Sequence, residues 1–197
     1  MPFYSFQKDT HERWAWKGSV FTPEECNAII QAFRPKLSDA TVINLHGNGQ
    51  ITNDVSKEYR DSKTTFLQPN PETEGIFQRI SDAVKEVNNL YWQYELWGFG
   101  EGLQFTEYNP PGGKYDMHID KVYQGPIRKL SITVQLSDPR DYEGGDFEYQ
   151  DSSTKSVLPK AQGLLLAFPS YALHAVTPVT RGTRYSLVGW VTGPNLK

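Results

Sequence analysis

His118-Ile119-Asp120 sets an imidazole and a carboxylate two positions apart. On an extended strand, residues i and i+2 project to the same face, so this pair is placed to grip one ion. The triplet alone is weak evidence, because a chain with four histidines and many acidic residues produces it by composition. His174 strengthens it, arriving far along the chain after the apolar segment GLLLAF and the turn Pro169-Ser170. An antiparallel barrel or sandwich brings such distant segments side by side. Two histidines and one carboxylate then occupy one face of an octahedral ion and leave the other positions open, a donor set that suits iron(II).

Arg184 is the next chemical signal. It opens the strand-like segment RYSLVGWV and shares a face with Ser186, Val188 and Trp190. That mostly apolar face points the guanidinium into a barrel, where it needs an anion, and its planar fork matches a carboxylate at two points. Arg181 competes for this role but sits in the turn-like Thr180-Arg181-Gly182, where a solvated surface charge is the simpler reading.

These residues need a frame. From Leu103 onward the chain consists of short segments rich in β-branched and aromatic residues, LQFTEYN, RKLSITVQLS, GDFEYQ, GLLLAF and TRYSLVGWV, punctuated by Pro and Gly. In 129–137, Leu130, Ile132, Val134 and Leu136 alternate with Ser131, Thr133 and Gln135. One reading is a strand with one face in water. The other, which we favour, puts the apolar face under helices and the polar face inside a barrel that holds a polar ligand.

The helices to cover it lie upstream. Thr22-Pro23-Glu24-Glu25 reads as an N-cap, a first-turn proline and a capping-box glutamate, followed by Cys26, Ile29, Ile30 and Phe33 at helical spacing to about Arg34. A second helix is expected from near Pro71, with Ile76, Ile80, Val84, Val87 and Tyr91 on one stripe. Between them, 46–63 is polar and glycine-bearing and reads as a mobile excursion. The fold class is therefore mainly β with flanking helices: a double-stranded β-helix (jelly roll, cupin-like) core supported by N-terminal helices.

At 197 residues the chain has the size of one domain, 1–197, with helical support and a lid-like loop in 1–100 and a jelly-roll core in 101–192. A net charge of −3 gives no overall basic field, which disfavours a protein that lives on nucleic-acid phosphates but leaves a local patch open. No apolar run is long enough to span a bilayer, and MPFYSFQKDTHERW lacks the order of a signal peptide, so a cytoplasmic location is expected. The lone Cys26 sits on a helix stripe and reads as a small buried hydrophobe.

The stretch from Leu103 to Val191 resembles the prolyl 4-hydroxylase-type branch of the iron(II)/2-oxoglutarate-dependent oxygenases, especially its compact bacterial and viral hydroxylases. The likeness rests on YNPPGGKYDMHID, on LSITVQLSDPRDYEGGDFEY with its double glycine, and on LPKAQGLLLAFPSYALHAVTPVTRGTRYSLVGW. The resemblance implies that His118, Asp120 and His174 hold iron and that Arg184 takes the distal carboxylate of 2-oxoglutarate. Tyr108 and Ser131 fall where family members contact that cosubstrate. Tyr115 and Trp190 match aromatics at the substrate entrance, against the alternative of ordinary core aromatics, and Arg60 lies in a segment that closes over peptide in relatives. Gln135 departs from relatives that carry tyrosine there.

The implied cofactors are Fe(II), 2-oxoglutarate and O2, with ascorbate as an accessory. The implied activity is dioxygenase hydroxylation of an unactivated C–H, on a prolyl residue of a peptide or protein, with succinate and CO2 as coproducts. Asp120 argues for hydroxylation over halogenation, and the Arg184 spacing fits this branch better than nucleic-acid dealkylation. Two other readings remain: a jelly-roll module that binds a carboxylated ligand without turnover, and an oxygenase acting on a nucleic-acid base. Because metal-bound histidines must be neutral, iron affinity is expected to fall below about pH 6.5.

Overall fold

The computed structural model describes residues 12–121 and 125–195. Two antiparallel sheets pack face to face, as the alternating segments after Leu103 require. The larger runs in the order Ala15–Lys17, Leu165–Pro169, Arg128–Gln135, Arg184–Thr192, Leu103–Tyr108, Lys63–Leu67, Ser38–Asp39, with Gly98–Phe99 pairing the far end of Arg184–Thr192. The smaller runs Thr154–Val157, Phe147–Asp151, Leu173–Val176, Lys114–His118, Arg60–Asp61. Sequence-distant strands are neighbours in both, which is the jelly-roll arrangement expected from the pattern.

The alternation in 128–135 separates two environments. Leu130, Ile132, Val134 and Leu136, each fully buried, join one core with Cys26 and Ile29 of helix α1 (Pro23–Phe33) and Phe77, Ile80, Val84 and Val87 of helix α2 (Glu74–Tyr91). The favoured reading of this strand therefore holds: its apolar face lies under the helices. Strand 165–169 alternates likewise, giving Leu165 and Ala167 to the helix-covered core and Leu166 and Phe168 to a second core between the sheets, with Phe147, Tyr149 and Val176.

α1 starts where its signals place it. The Thr22 Oγ1 accepts from the Glu25 amide at 3.3 Å while the Glu25 carboxylate accepts from the Thr22 amide at 2.9 Å, a complete capping box that contributes about 1 kcal/mol. α2 begins at Glu74, three residues past Pro71, because Asn70 and Thr73 close a turn first: the Thr73 hydroxyl donates to the Gln68 carbonyl at 2.6 Å and accepts from the Asn70 amide at 3.0 Å. Its buried stripe takes in Phe77 and Ala83 and leaves Tyr91 exposed.

The 46–63 segment differs more from expectation. Val42–Leu45 and Ile51–Asp54 form a hairpin, and Arg60–Asp61 joins the smaller sheet beside Lys114–His118. The turn closes through hydrogen bonds between the backbones of His46 and Gln50 (2.8 Å) and of Gly49 and His46 (2.9 Å). Asn48-Gly49 between β-branched residues is a hairpin signal that the polar composition of the segment masks.

Candidate active site

His118 and His174 are direct cross-strand partners in the smaller sheet, their ring centroids 4.2 Å apart. His118 is the last residue of its strand, so Asp120 lies beyond it rather than on the same strand face as the spacing implied. A different tether turns its carboxylate inward. Its backbone amide donates to the Ser170 carbonyl at 3.0 Å, and its Oδ2 accepts from the Ser131 hydroxyl at 2.6 Å. The Ser131 oxygen lies 2.9 Å from Ser170 Oγ. With its single proton committed to the carboxylate, Ser131 is the acceptor in that second bond and Ser170 the donor.

The ligand atoms of His118, Asp120 and His174 all lie within 4.8 Å of one another. Asp120 Oδ1 is 3.7 Å from His118 Nε2, and Oδ2 is 3.5 Å from His174 Nε2. Each imidazole is locked at its other nitrogen: His118 Nδ1 is 2.7 Å from the Asp116 carbonyl and His174 Nδ1 is 2.9 Å from the Ala172 carbonyl. A carbonyl only accepts, so both Nδ1 atoms carry the proton and both Nε2 lone pairs face the gap.

Burial, and then the neighbouring His174, pushes the His118 pKa down to about 3. Burial alone would raise that of Asp120, but His174 and His118 beside it and the Ser131 hydroxyl together hold it below its ordinary value. A neutral His118 and an ionised Asp120 are the protonation states a divalent cation requires of such ligands.

Across the same cavity, of about 800 Å³, lies Arg184, 1% exposed. Its Nη2 donates to Gln135 Oε1 at 2.9 Å and its Nη1 to Ser186 Oγ at 3.5 Å, while Nε has no acceptor. No carboxylate pairs with it among the described residues, whereas exposed Arg181 bonds Glu143 at 2.9 Å, as a surface charge does. A buried guanidinium that no carboxylate of the chain pairs is suited to bind an anion. The double glycine makes the room: a Cβ on Gly145, which has φ +59°, would stand 2.9 Å from Arg184 Cδ.

The other expected residues divide. Tyr108 lines the cavity, its ring 5.3 Å from the Arg184 guanidinium, and burial raises its pKa. Ser131 is not among the cavity-lining residues and is hydrogen-bonded to Asp120. Tyr115 stacks on His118 at 3.5 Å between centroids, and the Arg60 guanidinium lies 4.5 Å from the Tyr115 ring. Arg60 is buried and donates to Ser62 Oγ at 3.0 Å. Trp190 lies under Arg128, whose guanidinium is 3.8 Å from its ring and 2.6 Å from Glu101.

Sequence reasoning missed Ser170, Gly145 and the Glu101–Arg128 pair. Only the glycine doublet was visible as a motif, without its reason.

The donor set and the unpaired guanidinium fit iron(II) and a dicarboxylic cosubstrate. Comparison with known proteins agrees. The family model of the 2OG-Fe(II) oxygenase superfamily matches residues 103–192. The PKHD-type hydroxylase PiuC of Pseudomonas aeruginosa is 41% identical over 185 residues, covering 87% of this chain and 75% of that protein. A Pseudomonas putida prolyl-4-hydroxylase has the same fold, with a TM-score of 0.69 at 18% identity over 94% of this chain and 95% of that one. So does a Trichoplax adhaerens prolyl hydroxylase in complex with a hypoxia-inducible factor peptide fragment, with a TM-score of 0.68 at 15% identity over 92% of this chain and 84% of that one. The chain belongs to the 2OG-Fe(II) oxygenase superfamily and is a prolyl hydroxylase-like, 2-oxoglutarate-dependent dioxygenase.

Proposed function

We propose that the protein hydroxylates an unactivated C–H bond of a prolyl residue held in a peptide or protein, with succinate and carbon dioxide as coproducts. One observation carries the reading: a buried, unpaired guanidinium shares a cavity with three metal-ligand atoms. In this reading Arg184 anchors the far carboxylate of 2-oxoglutarate, and His118, Asp120 and His174 hold iron(II) through Nε2, a carboxylate oxygen and Nε2. When bound, the iron would activate dioxygen as the oxidant, with 2-oxoglutarate supplying two of its four electrons and the substrate C–H the other two, and ascorbate serves as accessory reductant.

The chain's own residues then orient and enclose. The Ser170–Ser131 hydrogen bonds fix the Asp120 carboxylate, the Asp116 and Ala172 carbonyls fix the imidazole tautomers, and Tyr108 and Trp190 wall the cavity against water. Tyr115 and Arg60 stand on the substrate side. Beside Arg60, Lys121 and the Glu101–Arg128 pair, the cavity is lined by neutral hydroxyl and amide side chains, Thr41, Asn44, Asn53, Thr64 and Gln104, which suit the N–H and C=O groups of an extended peptide. The prolyl hydroxylase with a peptide fragment among the fold relatives supports this choice.

We take 101–192 as the catalytic core, 1–100 as its support within one domain, and the cytoplasm as its compartment. No helix among the described residues is long and apolar enough to cross a membrane. The test is a mass-spectrometric screen of proline-containing peptides with iron(II) and 2-oxoglutarate. A 16 Da gain on proline that is lost in His118→Ala is expected. Succinate formation undiminished in His118→Ala overturns the reading.

A further inference from the structure

Tyr108 is the last residue of Leu103–Tyr108, Arg184 is the first of Arg184–Thr192, and the two are cross-strand partners. The backbone ladder between these strands therefore stops at the pair that faces the cavity, and strand ends are where local opening costs least. Side chains take over. The neighbours of Arg184 in sequence, Thr183 and Tyr185, are tied to the neighbours of Tyr108, Glu107 and Asn109. The Tyr185 hydroxyl donates to Glu107 Oε2 at 2.9 Å, Asn109 Nδ2 donates to Glu107 Oε1 at 2.6 Å, and the Thr183 hydroxyl donates to Asn109 Oδ1 at 3.0 Å. From beyond the end of Arg128–Gln135, Ser137 Oγ accepts from the Tyr185 amide at 2.7 Å and donates to the Thr183 carbonyl at 3.1 Å.

Glu107 is the hub of this clasp. It is 5% exposed, projects from the opposite face of its strand to Tyr108, and does not line the cavity. Its one ion-pair partner among the described residues is the largely exposed Arg34, 3.8 Å away. Beside the helix-covered core an apolar side chain would pack at no desolvation cost, whereas a buried carboxylate carries one. Both of its oxygens are spent on the clasp. Resting on the assignment of Arg184 above, we propose that Glu107 is a positioning residue: acting through Tyr185 and through Asn109–Thr183, it fixes Arg184 opposite Tyr108 and so sets the affinity for the distal carboxylate without touching it.

The test loads the full chain with Zn(II), so that no turnover intervenes, and titrates it calorimetrically with 2-oxoglutarate and with 2-oxopentanoate, which lacks the distal carboxylate. Glu107→Leu cuts both branches, and 2-oxoglutarate affinity is expected to fall about tenfold or more while 2-oxopentanoate affinity changes less than about threefold. Glu107→Gln can keep the clasp, because its amide accepts from Tyr185 and donates to an Asn109 amide that has turned over. It is expected to hold the wild-type preference within about threefold. Tyr185→Phe removes one branch and keeps the ring stack on Phe105, so it carries the test where Glu107→Leu does not fold; a selective loss of about threefold to tenfold is expected. A merely structural Glu107 would lower the melting temperature and leave the folded protein's preference between the two ligands intact.

Equal losses for both ligands, a preference unchanged in Tyr185→Phe, or a Glu107→Gln as impaired as Glu107→Leu overturns the proposal. If the wild type itself shows no preference for 2-oxoglutarate, or keeps that preference in Arg184→Leu, the Arg184 assignment fails and the positioning role falls with it.

Discussion

The two sheets divide the labour unequally. The larger is buried on both faces at its centre, beneath two helices on one side and the inter-sheet core on the other, and it contributes Arg184, Gln135 and Ser131. The smaller carries both histidines and is less uniformly buried: Leu173–Val176 is buried at three of its four residues, but all five residues of Lys114–His118 are of intermediate burial. The group proposed to bind the carboxylate is thus set in the sheet buried on both faces, and of the two histidines proposed as ligands, His118 sits on the less buried strand. The lesson is that stability and chemistry are separable here. Apolar substitutions beneath the helices of the larger sheet are expected to change mostly how well the protein folds, and substitutions at the histidines of the smaller mostly what it binds.

His174→Ala breaks the comparison hardest. Turnover is expected to drop by at least about a thousandfold with loss of stoichiometric metal, while the metal-free protein shifts its melting temperature by only a few degrees. A collapse in metal-free stability would show that the smaller sheet is as heavily buttressed as the larger. Leu130→Ala is the mirror experiment. A fully buried side chain of the helix-covered core is removed, and unfolding in denaturant is expected to reveal a loss of about 2–5 kcal/mol, with 2-oxoglutarate affinity of the surviving folded protein little changed.

Ser131→Ala tests the seam between the sheets. With the 2.6 Å bond to Asp120 removed, metal affinity measured by competition with a chelator is expected to weaken about 10- to 100-fold. An effect on 2-oxoglutarate alone would return Ser131 to direct cosubstrate contact, the role its family position implies.

The smallest effect is with pH. The unfolded chain protonates His118 at an ordinary pKa of about 6.5, whereas the folded chain resists until about 3, so between those values the unfolded state binds the extra proton and stability is lost as pH falls. Thermal and denaturant melts of the metal-free protein are expected to show a loss of up to about 2 kcal/mol from pH 7 to pH 5. The low Asp120 pKa adds a loss in the same direction, as pH falls through the carboxylate range.

Much of this was legible because its causes are local or periodic. The Thr22 capping box, the alternation through Leu130 to Leu136 and the inward face of Arg184 each follow from a few adjacent residue types. What was not legible depends on tertiary tethers. Asp120 looks like a strand neighbour of His118, but Ser170 and Ser131, distant in sequence, hold it. The hairpin Val42–Leu45 with Ile51–Asp54 was hidden by weighing polar composition over the Asn48-Gly49 turn signal. Gln135 shows no purpose until the Arg184 side chain appears beside it. The jelly-roll module without turnover, consistent with the motifs alone, gives way to an enzyme on the evidence of hydroxylase relatives that this chain matches over most of its length.

The position of Asp120 has a further consequence. Its carboxylate and amide are tied to Ser131 and Ser170, at the larger sheet, while His118 and His174 belong to the smaller. An ion held by all three is a cross-link between layers that otherwise meet through side-chain packing. Opening the sandwich at this end must first release it, so each tenfold rise of free metal above its dissociation constant adds about 1.4 kcal/mol against separation. The same link makes the ion a gauge of strand register, because a one-residue slip of Leu173–Val176 against Lys114–His118 would turn His174 to the opposite face and undo the clasp.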